Sequence, residues 1–171
     1  GDVYKRQNIS LTEDSPDQFK EIILGAGCFW GVEKQFWDLP GVYNTLVGYS
    51  GGDTENPTYE DVCYKETNHA EVVKVVYDPA EISLEVLLKI FWECHDPTQG
   101  MRQGNDIGTQ YRSTIYTSDD SDLGLAKEMK DIYQSQLEKN NLNKITTEIE
   151  IVKNFYLAEE SVSYTHLTLP T

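Results

Sequence analysis

Hydrophobic and polar positions follow two different periods along the chain, and the periods separate predicted strands from predicted helices. A compact apolar run at 21–26 predicts a short buried strand, and apolar residues then recur at helical spacing until Pro40. Further strands are predicted at 42–47, 70–77, 112–116 and 145–151, and further helices at 84–94 and 119–139. The polar, glycine-rich stretch 96–110 is predicted to be a long loop, a kind of segment that often carries function.

These elements predict the fold class. Their order is strand, helix, strand, strand, helix, strand, helix, strand, which favours an α+β sandwich with helices packed on a mixed β-sheet. The composition, 39% hydrophobic and 25% charged, is that of a globular protein. A chain of about 150 residues buries roughly two thirds of its unfolded surface, enough for one independent core. We therefore expect a single domain.

The two ends of the chain are related as inverted copies at the DNA level. Residues 2–7 can be encoded by GAT GTG TAT AAG AGA CAG, and the reverse complement, read in a shifted frame, encodes Val-Ser-Tyr-Thr-His, which is 162–166. Such inverted copies are typical of translated adaptor from a sequencing library, so neither end enters the fold argument. We expect adaptor-derived tails at 1–7 and 162–171 and a C-terminally truncated domain at 8–161.

The charge balance of the chain is strongly acidic. It has 14 basic and 29 acidic side chains and a formal net charge of −15 at pH 7. This charge repels phosphate backbones and anionic lipid, and no apolar run reaches the length of a membrane span. We therefore expect no nucleic acid or membrane partner. Three cysteines without a C-x-x-C pair are unlike a disulfide-stapled secreted domain, so we expect a reducing compartment, the cytoplasm. We also expect a monomer.

The most informative residue is Cys28, which lies at a predicted strand-to-helix turn. It stands between glycines and beside two large aromatic side chains, Phe29 and Trp30. The unpaired amide groups and the positive end of the helix dipole at such a turn favour a thiolate, the nucleophilic form of cysteine. The sequence therefore predicts a reactive cysteine.

Glu71, near the start of the strand predicted at 70–77, is a candidate general acid. Alternation places it on the apolar face with Val73, Val75 and Tyr77. A carboxyl that loses hydration on such a face has a raised pKa and can hold a proton near neutral pH. An exposed glutamate at a strand end is the alternative, because edge charges are common. Three further residues stay ambiguous between packing and catalysis: Tyr59, Asp106 and Tyr111.

Other familiar patterns do not fit. Gly25 and Gly27 begin like a dinucleotide fingerprint, but Trp30 stands where the third glycine belongs. The string at 48–52 has the G-x-S-x-G spacing of a hydrolase elbow, but the residues that follow do not begin a helix. Zinc is a weak alternative, because the spacing of the candidate ligands matches no common site: Cys63, His69, Cys94 and His95.

Five stretches in the same order resemble the A-type peptide methionine sulfoxide reductases. They are GCFWG (27–31), NPTYEDVC (56–63), NHAEVVKVVYDP (68–79), FWECHDPTQGMRQGNDIGTQYRS (91–113) and KNFYLAEE (153–160). The resemblance implies a ferredoxin-like α+β core. It also implies reduction of the S epimer of methionine sulfoxide, free or in proteins, by a thiol without a metal or an organic cofactor.

The resemblance also implies a role for each candidate residue. Carried over by position, the nucleophile is Cys28 and the acid is Glu71. The sulfoxide oxygen is held by Tyr59 and Tyr111, and the methyl group is received by Phe29 and Trp30. Substrate binding is supported by Asp106. The reaction leaves a cysteine sulfenic acid, which a second thiol converts to a disulfide that thioredoxin commonly reduces in the family.

The chain departs from the family pattern at this last step. Many members carry resolving cysteines in a C-terminal segment, whereas no cysteine follows Cys94 here. Either the resolving thiol lay in a missing tail, or Cys63, Cys94 or an external thiol takes its place. The alternative function is a non-catalytic domain that binds methionine or its sulfoxide.

Overall fold

The computed structural model of the chain describes residues 18–158 and the backbone of a two-residue strand at 164–165. The strands are β1 (Lys20–Ala26), β2 (Val42–Ser50), β3 (Ala70–Tyr77), β4 (Arg102–Gln103), β5 (Asp106–Ile107), β6 (Ser113–Thr117), β7 (Glu148–Ile151), β8 (Tyr156–Leu157) and β9 (Tyr164–Thr165). The helices are α1 (Phe29–Phe36), α2 (Tyr59–Tyr64), α3 (Leu84–Glu93) and α4 (Asp120–Lys139), with a single 3-10 turn at Thr109–Tyr111.

One mixed sheet organises this part of the chain. Its strand order is β7-β6-β1-β3-β2-β8, with β9 also on the outer edge of β2. Only β6 and β7 run parallel among the described strands, and α4 makes the crossover between them. The central elements β1, α1, β2, β3, α3 and β6 follow the βαββαβ order of ferredoxin-like folds. The predicted α+β sandwich is confirmed.

The three longer helices pack on one face of the sheet. The buried side chains of α1, α3 and α4 join one core cluster with alternate residues of β1, β2, β3 and β6, among them Val73 and Val75. The opposite face carries a smaller cluster around Ile23 and Val72, covered by the segment after β7. Both faces of β3 are therefore buried, although antiparallel strands commonly leave one face in water.

Several predicted boundaries were wrong. The strand predicted to end at Val47 continues through Gly48 to Ser50, because β3 pairs with it as far as Ser50 and β8 pairs with Gly48 and Tyr49 on the other side. A Cβ on Gly48 would overlap the carbonyl oxygen of Tyr156, so this close approach needs glycine. Three differences are smaller. β6 begins at Ser113 rather than Arg112, β7 begins at Glu148 rather than Ile145, and α3 ends at Glu93 rather than Cys94.

One α-helix was missed altogether. α2 begins after Thr58, whose hydroxyl accepts a hydrogen bond from the Asp61 amide at 3.1 Å, while the Asp61 carboxylate accepts one from the Thr58 amide at 3.0 Å. This is a capping box, a pattern that is readable in the sequence as Thr-x-x-Asp. The short helix carries Tyr59, one of the candidate site residues, so the missed helix is one that positions a candidate side chain.

The topology brings three chain segments to one end of the sheet. β1 runs antiparallel to both of its neighbours, so its last residue, Ala26, lies beside the first residues of β3 and β6. The residues that follow β1 and those that precede β6 therefore meet there. The predicted tails at 1–7 and 162–171 lie outside the described residues, apart from the backbone of β9, which pairs with Asn44 and Thr45.

Candidate active site

A cleft of about 750 Å³ opens at this end of the sheet. It is lined by all seven residues that the sequence singled out: Cys28, Phe29, Trp30, Tyr59, Glu71, Asp106 and Tyr111. Four lining residues were not anticipated: Tyr49, Thr58, Glu60 and Ala158. Tyr49 could have been found from the sheet register, because it lies directly opposite Glu71 on β2 and opposite residues share a face.

Cys28 lies between the end of β1 and the first turn of α1. Its carbonyl accepts hydrogen bonds from the amides of Gly31 at 3.1 Å and Val32 at 3.2 Å, so it occupies the N-cap position, and its thiol is free and half-buried. Gly27 turns the chain out of the sheet with a φ of +100°, a conformation that favours glycine. A Cβ there would also lie 3.0 Å from Cγ of Gln103.

Glu71 is a buried carboxyl held against the start of the same helix. It is 2% exposed, and its Oε1 accepts a hydrogen bond from the Phe29 amide at 3.2 Å. Burial raises its pKa to about 7, the Phe29 amide opposes the shift, and the negative charge of Asp106 adds to it. The interpretation of Glu71 as an exposed edge charge was wrong, and the carboxyl is in a state that can deliver a proton near neutral pH.

Phe29 and Trp30 form an aromatic wall of the cleft. Their ring centroids lie 5.3 Å apart in an edge-to-face arrangement, and the centroid of the Phe29 ring lies 5.7 Å from that of Tyr49. Phe29 is 3% exposed, whereas Trp30 is 43% exposed. The first ring is therefore fixed in the core, and the second is open to a ligand.

Two phenol groups face the cleft from different elements. Tyr59 begins α2 and is half exposed, and its pKa is raised first by a hydrogen bond with the Cys63 thiol. Tyr111 ends the 3-10 turn, and burial, followed by the charge of Glu71, raises its pKa to about 12. Both hydroxyls therefore keep their protons at neutral pH and can donate hydrogen bonds.

Asp106 comes from the loop predicted at 96–110, which contains the β4–β5 hairpin. The side chain of Gln103 stabilises this loop, because its Oε1 accepts from the Asp96 amide at 3.0 Å and its Nε2 donates to the Asp96 carbonyl at 2.8 Å. Asp106 itself is exposed at the mouth of the cleft. Its influence on Glu71 is that of a nearby negative charge, which helps to raise the pKa of the buried carboxyl.

Of the four residues considered for zinc, Cys63 lies on α2 and His69 directly before β3, while Cys94 and His95 both bond to the Phe91 carbonyl. His69 accepts a hydrogen bond from the Gly52 amide at 3.0 Å and donates to the Thr54 carbonyl at 2.7 Å, which ties a loop to β3. His95 donates to the Phe91 carbonyl at 2.7 Å, at the end of α3. Within residues 18–158 no three His, Cys, Asp or Glu side chains are placed to hold a metal ion.

No described helix combines the length and apolar character that crossing a bilayer requires.

This geometry defines the class of protein: an α+β domain with a free thiol, a buried carboxyl of raised pKa and two phenols in one cleft. Comparisons with known proteins agree with it. A profile of the family described as peptide methionine sulfoxide reductase matches residues 20–166. A peptide methionine sulfoxide reductase MsrA of Photobacterium profundum is 58% identical over 151 residues, which are 88% of this chain and 72% of that protein.

Solved structures give the same result. Methionine sulfoxide reductase A of Corynebacterium diphtheriae superposes with a TM-score of 0.82 at 45% identity, covering 85% of this chain and 73% of that one. Mxr1 of Saccharomyces cerevisiae in complex with Trx2 superposes with a TM-score of 0.63 at 33% identity, covering 85% of each chain. The chain belongs to the peptide methionine sulfoxide reductase family, a family of thiol-dependent oxidoreductases.

Proposed function

We propose that this chain reduces the S epimer of methionine sulfoxide, free or in proteins, to methionine through a sulfenic acid on Cys28. The observation that carries the proposal is the 3.2 Å hydrogen bond from the Phe29 amide to Glu71, which holds a buried carboxyl against the helix turn that begins at Cys28. A nucleophile and a proton donor are thereby presented to one cleft.

In the first step the Cys28 thiolate attacks the sulfoxide sulfur. The cysteine sulfur is oxidised by two electrons and the substrate sulfur is reduced by two, while the oxygen moves to cysteine as the sulfenic acid hydroxyl. Oxygen transfer of this kind needs a proton and hydrogen-bond donors where negative charge grows on oxygen. Glu71, with a pKa of about 7, supplies the proton, and Tyr59 and Tyr111 supply the donors.

The walls of the cleft account for substrate choice in this proposal. The aromatic rings of Phe29 and Trp30 receive the apolar methyl group on sulfur, while the polar residues on the other side receive the oxygen. A substrate with the oxygen and methyl group exchanged would place its oxygen against the rings, so one epimer is selected. Asp106 at the mouth accepts a hydrogen bond from the substrate backbone.

Thioredoxin, or another thiol reductant, completes the proposed cycle. The yeast relative Mxr1 forms a complex with Trx2, which supports thioredoxin as the reductant wherever a second thiol has converted the sulfenic acid on Cys28 to a disulfide. The reaction belongs in a reducing compartment such as the cytoplasm, and the three cysteines, all described, are free thiols. We propose that the protein acts as a monomer, which sedimentation at micromolar concentration tests.

A single turnover tests the function itself. The chain is reduced, freed of reductant and mixed with a peptide that carries methionine S-sulfoxide, and the methionine product is counted. We expect about one methionine per chain, with loss of the Cys28 thiol and a sulfenic acid trappable by dimedone. The R epimer is the control. A domain that only binds methionine or its sulfoxide would release no product, and that result would overturn the proposal.

A further inference from the structure

Arg112 is a buried cation that the proposed chemistry does not use. It is 7% exposed, and its guanidinium has partners in three chain segments. Nη1 donates to the Thr109 carbonyl at 2.9 Å and Nη2 donates to the Asn68 carbonyl at 2.8 Å. Nε pairs with Glu148 of β7 at 3.3 Å. Such a planar fork fixes the relative positions of all three segments.

The guanidinium acts where the sheet itself gives no support. β1 separates β3 from β6, and it ends at Ala26. At Gly25 the chain is still enclosed, since a Cβ there would lie 3.1 Å from the Glu71 carbonyl oxygen and 3.3 Å from the Arg112 carbonyl oxygen. Past the end of β1, strand pairing no longer ties β3 to β6. The bond from Arg112 to the Asn68 carbonyl joins the two sides there.

The segments that the guanidinium joins are those that carry Glu71 and Tyr111. Tyr111 directly precedes Arg112, and Asn68 lies three residues before Glu71. The Thr109 carbonyl accepts from the guanidinium and also from the Arg112 amide at 3.2 Å, so the 3-10 turn closes on this side chain. A shift of the guanidinium would therefore move the phenol and the carboxyl relative to each other.

We propose that Arg112 is a positioning residue for sulfoxide reduction, which holds Tyr111 and Glu71 at their working separation by joining the Thr109 and Asn68 carbonyls across the end of β1. The inference rests on the proposed function. Arg112 does not line the cleft, and its charge is balanced by Glu148, which also accepts a hydrogen bond from the Tyr116 hydroxyl at 2.6 Å. Its contribution is geometric.

The test is Arg112→Lys, because an ammonium keeps the charge but lacks the fork that reaches two carbonyls and a carboxylate together. Single-turnover rates are measured between about pH 5 and 9, normalised to the titrated thiol and to the folded fraction. We expect a loss of about 10- to 100-fold, as misplacement of catalytic groups by about 1 Å can cost that much.

The pH profile separates positioning from stability. Besides burial, the pKa of Glu71 is shifted by the amide of Phe29 on α1 and by the charge of Asp106 on β5. The charge of Glu71 in turn helps to raise the pKa values of Tyr59 on α2 and Tyr111 on the 3-10 turn. All of these residues are kept in Arg112→Lys. If the variant opens the contact between β3 and the turn, water reaches Glu71 and the inflection of the profile moves below that of the parent. A purely structural role would lower the melting temperature without moving the inflection.

Two matched variants complete the experiment. Glu148→Gln removes the ion pair but leaves both carbonyl bonds of Arg112, so its rate should stay within about 3-fold of the parent. Arg102→Lys changes an exposed arginine whose Nε donates only to the Gly104 carbonyl, at 3.1 Å, and controls for the substitution itself. Arg112→Gln replaces Arg112→Lys if the lysine variant does not fold.

Three results would overturn the inference. The first is a single-turnover rate and pH profile in Arg112→Lys that match the parent. The second is a loss of rate in Glu148→Gln as large as that in Arg112→Lys. The third is failure of both Arg112 variants to fold, which would show that Arg112 contributes to stability alone. A parent chain that releases no methionine would instead overturn the proposed function, so the two failures are distinguishable.

Discussion

At Glu71, the proposed acid, the carboxyl is held by the backbone amide of the residue that follows Cys28, the proposed nucleophile. The Phe29 amide donates to Glu71, and Phe29 is the residue that follows Cys28 in the first turn of α1. The hydrogen bond favours the ionised carboxyl, yet burial outweighs it and raises the Glu71 pKa to about 7. The same contact thus orients the acid without preventing its protonation.

Cys28→Ser should remove all reductase activity and keep the fold, because a serine hydroxyl at its ordinary pKa does not attack sulfoxide sulfur and the two side chains are nearly isosteric. Single-turnover release of methionine is the measurement. Cys94→Ser is the matched control, since a hydroxyl can keep the bond that the Cys94 thiol makes to the Phe91 carbonyl at 3.3 Å. Residual release above a few per cent in Cys28→Ser would contradict the assignment of the nucleophile.

Glu71→Gln should lower the rate of sulfoxide reduction by roughly 10²–10⁴ at neutral pH, because an amide keeps the shape but delivers no proton. The active carboxyl is the protonated form, and its pKa is about 7. The contribution of Glu71 is therefore fully present well below pH 7 and falls as pH rises through it. Single-turnover rates against pH should show this decline in the parent and not in the variant.

The control for this experiment is Glu66→Gln, which alters an exposed carboxyl outside the cleft lining. It should retain the parental profile. A Glu71→Gln variant that matched the parent at pH 8 would show that the oxygen takes its proton from another source.

At the scale of the element, α1 carries reactive and structural chemistry on different residues. Cys28 is its N-cap, and the helix itself buries a second carboxyl, Glu33, which is 1% exposed. The Thr45 hydroxyl donates to Glu33 at 2.9 Å, and burial nevertheless raises the pKa of Glu33 to about 7. Ionising this carboxyl beneath the helix costs stability that the rest of the packing must offset.

Glu33→Gln should therefore stabilise the domain at alkaline pH. The stabilising contribution of protonated Glu33 is fully present below its unfolded pKa of 4.5 and is lost as pH rises through the folded value of about 7. The loss is on the order of 3 kcal/mol for a shift of this size, and an amide does not undergo it. Free energies of unfolding from denaturant titration at about pH 5 and pH 8 measure the effect.

Glu128→Gln, an exposed carboxyl of α4, is the control and should show the same pH dependence as the parent. If Glu33→Gln gained no stability relative to the parent between the two pH values, the carboxyl would have to be ionised and solvated in the native state.

The position of α2 in the chain is determined by the hydrogen bonds at its N-terminus. The helix has six residues and only one buried side chain, Val62, so periodicity gives almost no signal. The capping box at Thr58 and Asp61 instead determines where it begins. The consequence for the site is that the position of Tyr59 depends on two local hydrogen bonds.

For the whole molecule, the three thiols have unequal surroundings. The Cys94 thiol is packed at the end of α3, and burial raises its pKa to about 11, which leaves it a poor nucleophile at neutral pH. The Cys63 thiol is engaged with the Tyr59 hydroxyl on α2. Both belong to ordered elements, so we expect neither to approach Cys28 within disulfide distance without backbone movement.

With Cys63 and Cys94 held away from Cys28, the chain should behave as a single-cysteine enzyme. We expect one burst of product, accumulation of sulfenic acid on Cys28, sustained turnover with dithiothreitol and only poor turnover with thioredoxin. Mass spectrometry of the oxidised chain after one turnover measures this directly. A stoichiometric disulfide from Cys28 to Cys63 or to Cys94 would contradict the prediction and identify the internal resolving residue.

Local sequence was sufficient to predict much of this protein. The pattern of apolar residues located the four central strands, which are buried on both faces, and the three longer helices, which bury one face in a common core. The surroundings of Cys28 predicted its turn, and alternation placed Glu71 on the apolar face. These properties depend on residues close together in the chain, so they can be recognised without the fold.

Tertiary structure alone decided how those parts meet. The depth at which Glu71 is buried depends on β2 and α1 packing around β3, and the union of Tyr59, Asp106 and Tyr111 in one cleft depends on the order of strands that are distant in sequence. The extension of β2 to Ser50 needs pairing with β3 and β8, and the reach of Arg112 to Asn68 needs β1 to end between its neighbours. The local pattern of apolar residues does not predict such contacts, because each joins segments that are far apart in the chain and meet only when the sheet forms.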